Sequence, residues 1–229
     1  LNEKNEVKAL QPTAEGYLYC MDHMLAGSED SRFEGHNLIF QDEIFDNAIN
    51  RMKRMYNSAI SENAEYSYRD ETHLFNEGKL AIYINGVWGA PMISKQIDAK
   101  YALLPTDGGE SMSCISSGLG YVLGNSGNEE KEKAAVKFLK YMLSKKVQTK
   151  ILEKTEQIPA NPDISLESYK ESKSRLYQAA TLVLETDEKI EVPNNIWSAE
   201  QKDYFIKTIF DVLTGTLSIQ EFEEGLENK

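Results

Sequence analysis

Phe75-Asn-Glu-Gly-Lys-Leu-Ala-Ile-Tyr-Ile-Asn-Gly-Val-Trp88 is the stretch on which the fold turns. Its centre, 80–84, is a continuous apolar run rich in β-branched residues. It is too short for a helix, and its composition predicts a buried strand. Ahead of it, residues 69–77 read as a short helix closed by Gly78, the usual C-terminal punctuation. Behind it, Gly86 lets the backbone turn and Trp88 emerges. A buried strand delivers its last residues to the carboxyl edge of a sheet, where open α/β folds bind their ligands.

Working outward, residues 42–56 place Ile44, Phe45, Ala48, Ile49, Met52 and Met55 at helical spacing. Residues 101–104 read as a strand stopped by Pro105, with a turn at 106–109. Residues 119–123 read as a third strand between Gly118 and Gly124. Ser126 and Glu129 fit an S-x-x-E capping box. The helix behind it carries Ala134, Ala135, Phe138, Leu139, Met142 and Leu143 on one face. Ser144 starts another helix with Val147, Ile151 and Leu152, and Pro159 and Pro162 break the chain. Helices are expected at 166–185, at 198–214 and around Phe222 and Leu226. Capping boxes Ser198/Gln201 and Ser218/Glu221 open the last two, and Gly215 closes the one between. Short buried strands alternating with amphipathic helices mean α/β architecture.

Composition excludes more than it identifies. The 229 residues are 41% hydrophobic and 27% charged, ordinary for a folded protein, and no apolar run is long enough to span a bilayer. A net charge of −12, from 37 acidic and 25 basic residues, repels phosphate backbones and anionic headgroups, so no nucleic-acid partner is expected. The first residues form no signal peptide and no initiator Met is present, so the chain reads as processed or cut from something longer. Cys20 and Cys114 form no CxxC pair and are either free thiols or one disulfide.

Enzyme signatures are missing. There is no G-x-S-x-G elbow and no Walker sequence, and Gly118-x-Gly120-x-x-x-Gly124 is neither spaced nor placed as a dinucleotide fingerprint. His23, His36 and His73 lack the H-E-x-x-H spacing of a zinc site. The acidic pairs Glu129–Glu130 and Glu223–Glu224 sit at helix starts or on solvated faces. No cofactor or metal is expected.

The quoted stretch resembles F-x-x-G-K/E-x-A-M-x-I-N-G-x-W of the family 1 extracellular solute-binding proteins, which include maltodextrin receptors. Further pieces follow in the family's order. Residues 101–106 are similar to its strand ending in L-P, 118–123 stand at its next strand, and 132–144 are similar to its Ala-Ala/Phe-Leu helix. Thr155-Glu-Gln-Ile-Pro159 stands at t-G-x-x-P, with Glu156 in place of the glycine. Residues 190–194 are similar to the Pro-Asn segment before the penultimate helix. The resemblance runs from about Glu15 to Leu226.

It implies a periplasmic-binding-protein-like (type II) α/β fold: second lobe from 1–107 and 160–229, a first-lobe segment at 108–159, and the N-terminal part of the first lobe absent. The implied function is the extracellular, lipid-anchored substrate-binding component of an ABC importer, which delivers a sugar or oligosaccharide to permease subunits. Trp88 is the expected sugar platform, since C–H faces stack on indole, and Asn85 the expected partner for hydroxyls. Glu15 and Tyr17 stand where such receptors run a strand and loop into the cleft. A carboxylate there either accepts sugar hydroxyls or is an exposed loop acid. Trp197 and Tyr204 compete as a second platform. Ser117, with Ser116, either lines the cleft or serves the turn. The 132–143 helix lacks its usual sheet, so its apolar face is met by rearrangement, by self-association or by poor order, and the fragment alone is expected to bind sugar weakly. A polyamine or iron receptor is the nearest alternative. A carbohydrate-active enzyme would need two carboxylates about 5–9.5 Å apart.

Overall fold

The apolar run at 80–84 does form a strand in the computed structural model, over Leu80–Ile82, but not the buried one expected: only Leu80 is buried, and Ala81 and Ile82 are exposed, because the sheet has just two strands among the described residues. The structure describes residues 8–10, 12–26, 43–59, 67–105, 112–115 and 120–229. In chain order the regular elements are β1 (Lys8–Leu10), α1 (Ala14–Ala26), α2 (Glu43–Ala59), α3 (Tyr68–Asn76), β2 (Leu80–Ile82), β3 (Met112–Ile115), α4 (Glu129–Met142), α5 (Lys145–Thr155), α6 (Ser174–Leu184), β4 (Glu188–Glu191), α7 (Ala199–Thr214) and α8 (Ile219–Glu227). Short stretches of 3-10 helix lie at Val87–Met92, Leu166–Tyr169 and Pro193–Ile196.

The chain divides into two units. The first takes Leu1–Gly86, Met92–Ser116 and Glu185–Lys229, the second Val87–Pro91 and Ser117–Leu184. These cuts differ from the expected 107/108 and 159/160, because 160–184 folds with the middle segment. The reason is apolar: Leu152 of α5 is buried with Ile164 and with Leu176 of α6.

In the first unit β1 pairs parallel with β2, Lys8 opposite Leu80 and Leu10 opposite Ile82. β3 pairs parallel with β4, Met112 opposite Glu188 and Ile115 opposite Glu191. The core is mainly helical. Tyr17 and Met21 of α1, Phe45, Ile49 and Met52 of α2, Phe205 and Ile209 of α7, and Phe222 and Leu226 of α8 are all buried together. The ring of Phe45 stacks on Phe222 at 6.3 Å and Tyr17 meets Phe210 edge-on at 5.9 Å. Each such side chain contributes roughly 1.5–3 kcal/mol by leaving water. The capping boxes at Ser198/Gln201 and Ser218/Glu221 form as expected, and a third, Ser67/Asp70, opens α3. Gly78 and Gly215 take positive φ where α3 and α7 end.

In the second unit Asn128, not Ser126, caps α4, accepting from the amides of Glu130 and Lys131, each at 3.1 Å. No residue of α4 is buried. Gln148 ties the unit together: its amide donates to the Met142 carbonyl and its carbonyl accepts from the Ala160 amide, both at 3.0 Å. Glu156 ends α5 in the left-handed conformation, φ 55°, and ion-pairs with Lys173 at 2.7 Å. That backbone requirement explains the glycine of the family pattern at this place.

Three expectations are corrected. Residues 15–17 lie in a helix, α1, and not in a strand and loop. Residues 101–104 and 120–123 carry no regular secondary structure, and Leu119 lies outside the described residues. The helix expected at 166–185 is a 3-10 turn followed by α6.

Candidate functional site

Beyond β2 the chain runs out as Tyr83-Ile84-Asn85-Gly86. Ile84 is anchored in the core of the first unit, and the Tyr83 ring stacks on Phe75 of α3 at 5.4 Å. Asn85, part-buried, accepts the Gly86 amide at 2.8 Å through Oδ1. That bond fixes the side-chain amide, so Nδ2 faces two phenols, donating to the Tyr68 hydroxyl at 2.9 Å and to the Tyr83 hydroxyl. Thr72 donates to the Tyr68 carbonyl at 2.8 Å and lies 2.8 Å from the Tyr83 hydroxyl. The Tyr68 hydroxyl donates to Met92 Sδ at 3.2 Å. Asn76 holds the 92–94 segment against α3, donating to the Met92 carbonyl at 2.9 Å and accepting the Ser94 amide at 2.7 Å. Helix α3, the end of β2 and residues 92–94 thus form one polar cluster. Burial, helped by the neighbouring Tyr68 hydroxyl, holds the Tyr83 phenol protonated well beyond the usual range.

The strongly shifted carboxyls lie elsewhere, in the core. Glu71 on α3 is 1% exposed, and burial pushes its carboxyl up to about 8, with Glu15 adding like charge. Burial raises Asp22 of α1 to about 6, although it accepts the Asn194 amide at 2.8 Å and the Asn194 side chain. Burial and Asp46 raise Glu223 to about 7. Beside Asp22, burial lowers the His23 imidazole, whose Nδ1 lies 3.9 Å from Cys114 Sγ. Cys20 and Cys114 are free thiols, each pushed up to about 12 by burial. Shifted groups often mark active sites, but these face core and not solvent. Among the described residues no cluster of His, Cys, Asp or Glu could hold a metal ion, and no helix is long and apolar enough to cross a membrane.

The expected site residues scatter accordingly. Trp88, in the second unit, is 51% exposed. Asn85 belongs to the cluster above. Glu15 is exposed on the first turn of α1. Tyr17, expected at a cleft, is fully buried against Phe210, its hydroxyl without a hydrogen-bond partner among the described residues. Trp197 is 5% exposed and packs on Phe205 at 5.7 Å, so both faces of the indole are committed to the core of the first unit. Its competitor Tyr204 stacks on Phe222 at 5.9 Å, with Lys229 over its ring. Ser117 and Ser116 lie outside the described residues. Sequence reading passed over Tyr68, Thr72, Tyr83 and Met92. Their one signal was position, since Tyr68 and Thr72 lie one turn apart on α3.

Solved structures of low sequence identity share the fold. A Streptococcus pneumoniae solute-binding protein in complex with the blood group A-trisaccharide matches at TM-score 0.79 and 23% identity, over 99% of this chain and 59% of its own. A chitin oligosaccharide binding protein matches at TM-score 0.71 and 16% identity, over 97% of this chain and 58% of its own. A structure described under xylan utilization by the thermophilic bacterium Caldanaerobius polysaccharolyticus matches at TM-score 0.65 and 14% identity, over 96% and 61%. The chain therefore has the expected mixed α/β, periplasmic-binding-protein-like fold and spans about three fifths of the length of each neighbour. Comparison with curated proteins gives no significant match. The family model for the bacterial extracellular solute-binding protein matches residues 9–180, well over half the chain. On that match, in agreement with the motifs around Trp88, the chain belongs to the bacterial extracellular solute-binding proteins.

Proposed function

We propose that this chain is part of a receptor that binds a sugar or oligosaccharide outside the cytoplasmic membrane, held there by a lipid anchor, and delivers it to the permease of an ABC importer without catalysing a reaction. The observation that carries this reading is Trp88, a half-exposed indole in a chain whose other tryptophan is buried. A large aromatic surface left in water is costly, and stacking of a pyranose C–H face is the recognition chemistry that an indole suits. The saccharides named for two of the structural neighbours, the blood group A-trisaccharide and chitin oligosaccharides, give the same class of ligand. Binding without catalysis is supported by the raised carboxyls Glu71, Asp22 and Glu223, which are core groups.

The test is a thermal-shift screen of the full-length protein against the blood group A-trisaccharide, chitin and xylan oligosaccharides, spermidine and ferric salts. A saccharide is expected to give the largest shift, and Trp88→Ala to abolish most of it. Stabilisation by spermidine or iron alone, or an equal saccharide shift with and without Trp88, would overturn the reading.

A further inference from the structure

Counting protons in the polar cluster shows which of its groups is available to a solute. Asn85 has none to give: its Oδ1 holds the Gly86 amide and both Nδ2 protons go to phenols. Thr72 has one proton, and the Tyr68 carbonyl takes it. The 2.8 Å contact between Thr72 and Tyr83 is therefore made with the Tyr83 proton. Tyr83 is thus spent as donor to Thr72 and as acceptor from Asn85. The Tyr68 hydroxyl differs. It accepts from Asn85 at 2.9 Å, but its own proton rests on a thioether, Met92 Sδ, at 3.2 Å. Sulfur of this kind is a weak acceptor. Accepting from Asn85 also polarises the Tyr68 O–H and makes it the better donor. Both residues reach solvent: Tyr68 is part-buried and Met92 is 48% exposed.

We propose that Tyr68, and not Asn85, is the residue of the first unit whose hydroxyl meets the solute, and that Asn85 is the positioning residue that aims it. The inference rests on the sugar-receptor reading above and deepens it. On binding, the Tyr68 proton leaves the thioether for an oxygen of the solute, a hydroxyl, ring or N-acetyl carbonyl oxygen, while the Asn85 bond stays. An oxygen acceptor is what the cluster selects. A polyamine, which offers only cationic donors, gains nothing from that proton.

Calorimetry on the full-length protein, with chitotriose, xylotriose and the blood group A-trisaccharide as probes, tests this. For whichever probe binds, Tyr68→Phe is expected to weaken affinity roughly 3- to 15-fold, the range of one neutral hydrogen bond. Asn85→Asp turns the Tyr68 proton toward the new carboxylate, so it should give a similar loss, with little added in the double variant. Met92→Leu removes the competing acceptor and should bind as well as wild type or about twofold tighter, an effect that vanishes in the Tyr68→Phe background. A merely structural Tyr68 would lower the melting temperature and leave affinity insensitive to Met92. If wild type binds a probe and Tyr68→Phe binds it equally well, this inference falls and the sugar reading stands. The inference falls in the same way if the Asn85→Asp and Tyr68→Phe losses simply add. If no probe binds wild type, the sugar reading falls and takes this inference with it.

Discussion

Replacing Glu71 by Gln isolates a buried proton. In the folded chain Glu71 is 1% exposed, and its Oε1 has no hydrogen-bond partner among the described residues. Among the described residues, Glu15 of α1 adds like charge to it, Tyr17, Tyr19 and Cys20 of the same helix lie within its electrostatic reach, and the Thr13 backbone N–H favours its charged form. Its protonation midpoint therefore rises from 4.5 to about 8. The native state keeps the proton that the unfolded chain gives up, so stability is full below pH 4.5 and is lost as pH rises toward 8. Each pH unit in that window costs up to a factor of ten in the folding equilibrium, about 4 kcal/mol over the whole range. Gln keeps the shape and cannot ionise. The two proteins should be equally stable to within about 1 kcal/mol near pH 4.5, and the Gln variant should gain steadily up to pH 8. Urea titrations followed by the fluorescence of buried Trp197, in a Trp88→Phe background, would read the first unit alone. Asp22, Glu223 and His23 titrate in both proteins and cancel from the difference. A difference that stays flat from pH 4.5 to 8 would refute the assignment.

Three further substitutions probe the packing. A Cβ at Gly225 would come within 2.3 Å of the Tyr204 ring, so Gly225→Ala should cost about 1–3 kcal/mol in urea denaturation, and less in a Tyr204→Ala background. Glu156 sits at φ 55°. Both Glu156→Gly and Glu156→Ala lose the Lys173 pair, but only Gly relieves the backbone, so the Gly variant should be about 1 kcal/mol the more stable by the same assay. Leu152 is fully buried, and Leu152→Ala should cost about 2–5 kcal/mol, seen as faster hydrogen exchange in α5 and α6.

The sequence was legible where local chemistry decides. Gly78, Gly215 and the boxes at Ser198 and Ser218 lie where turn and cap physics puts them. Helix α1 was not legible, because nine of its residues, among them Gly16, Asp22 and His23, are buried. A helix packed on several sides loses the periodicity by which helices are read. Strand β4 reads Glu-Lys-Ile-Glu and pairs with a segment far away in sequence, so neither composition nor spacing marks it. The two tryptophans show the limit most directly. Each follows a β-branched residue and a polar stretch, yet Trp88 is exposed and Trp197 is core, because only tertiary packing brings Phe205 to the second. The tyrosine partners of Asn85 were equally hidden, since Tyr68 reaches it from 17 residues away.

The aromatic core of the first unit sets an order of events during synthesis. Helices α1 and α2 bury their apolar faces on Phe205, Ile209 and Phe222, which belong to α7 and α8. The end of α2 at 59 and the start of α7 at 199 are separated by about 140 residues. At about 5–20 residues per second, a ribosome needs on the order of 10 s to cover that distance. Throughout it, Tyr17, Met21, Phe45 and Ile49 can pack on one another but lack their partners on α7 and α8, while the second unit, drawn largely from one continuous stretch, is already complete enough to fold. Until α7 and α8 are made, the faces of α1 and α2 that they cover stay exposed, a window in which a holding chaperone would find its natural substrate.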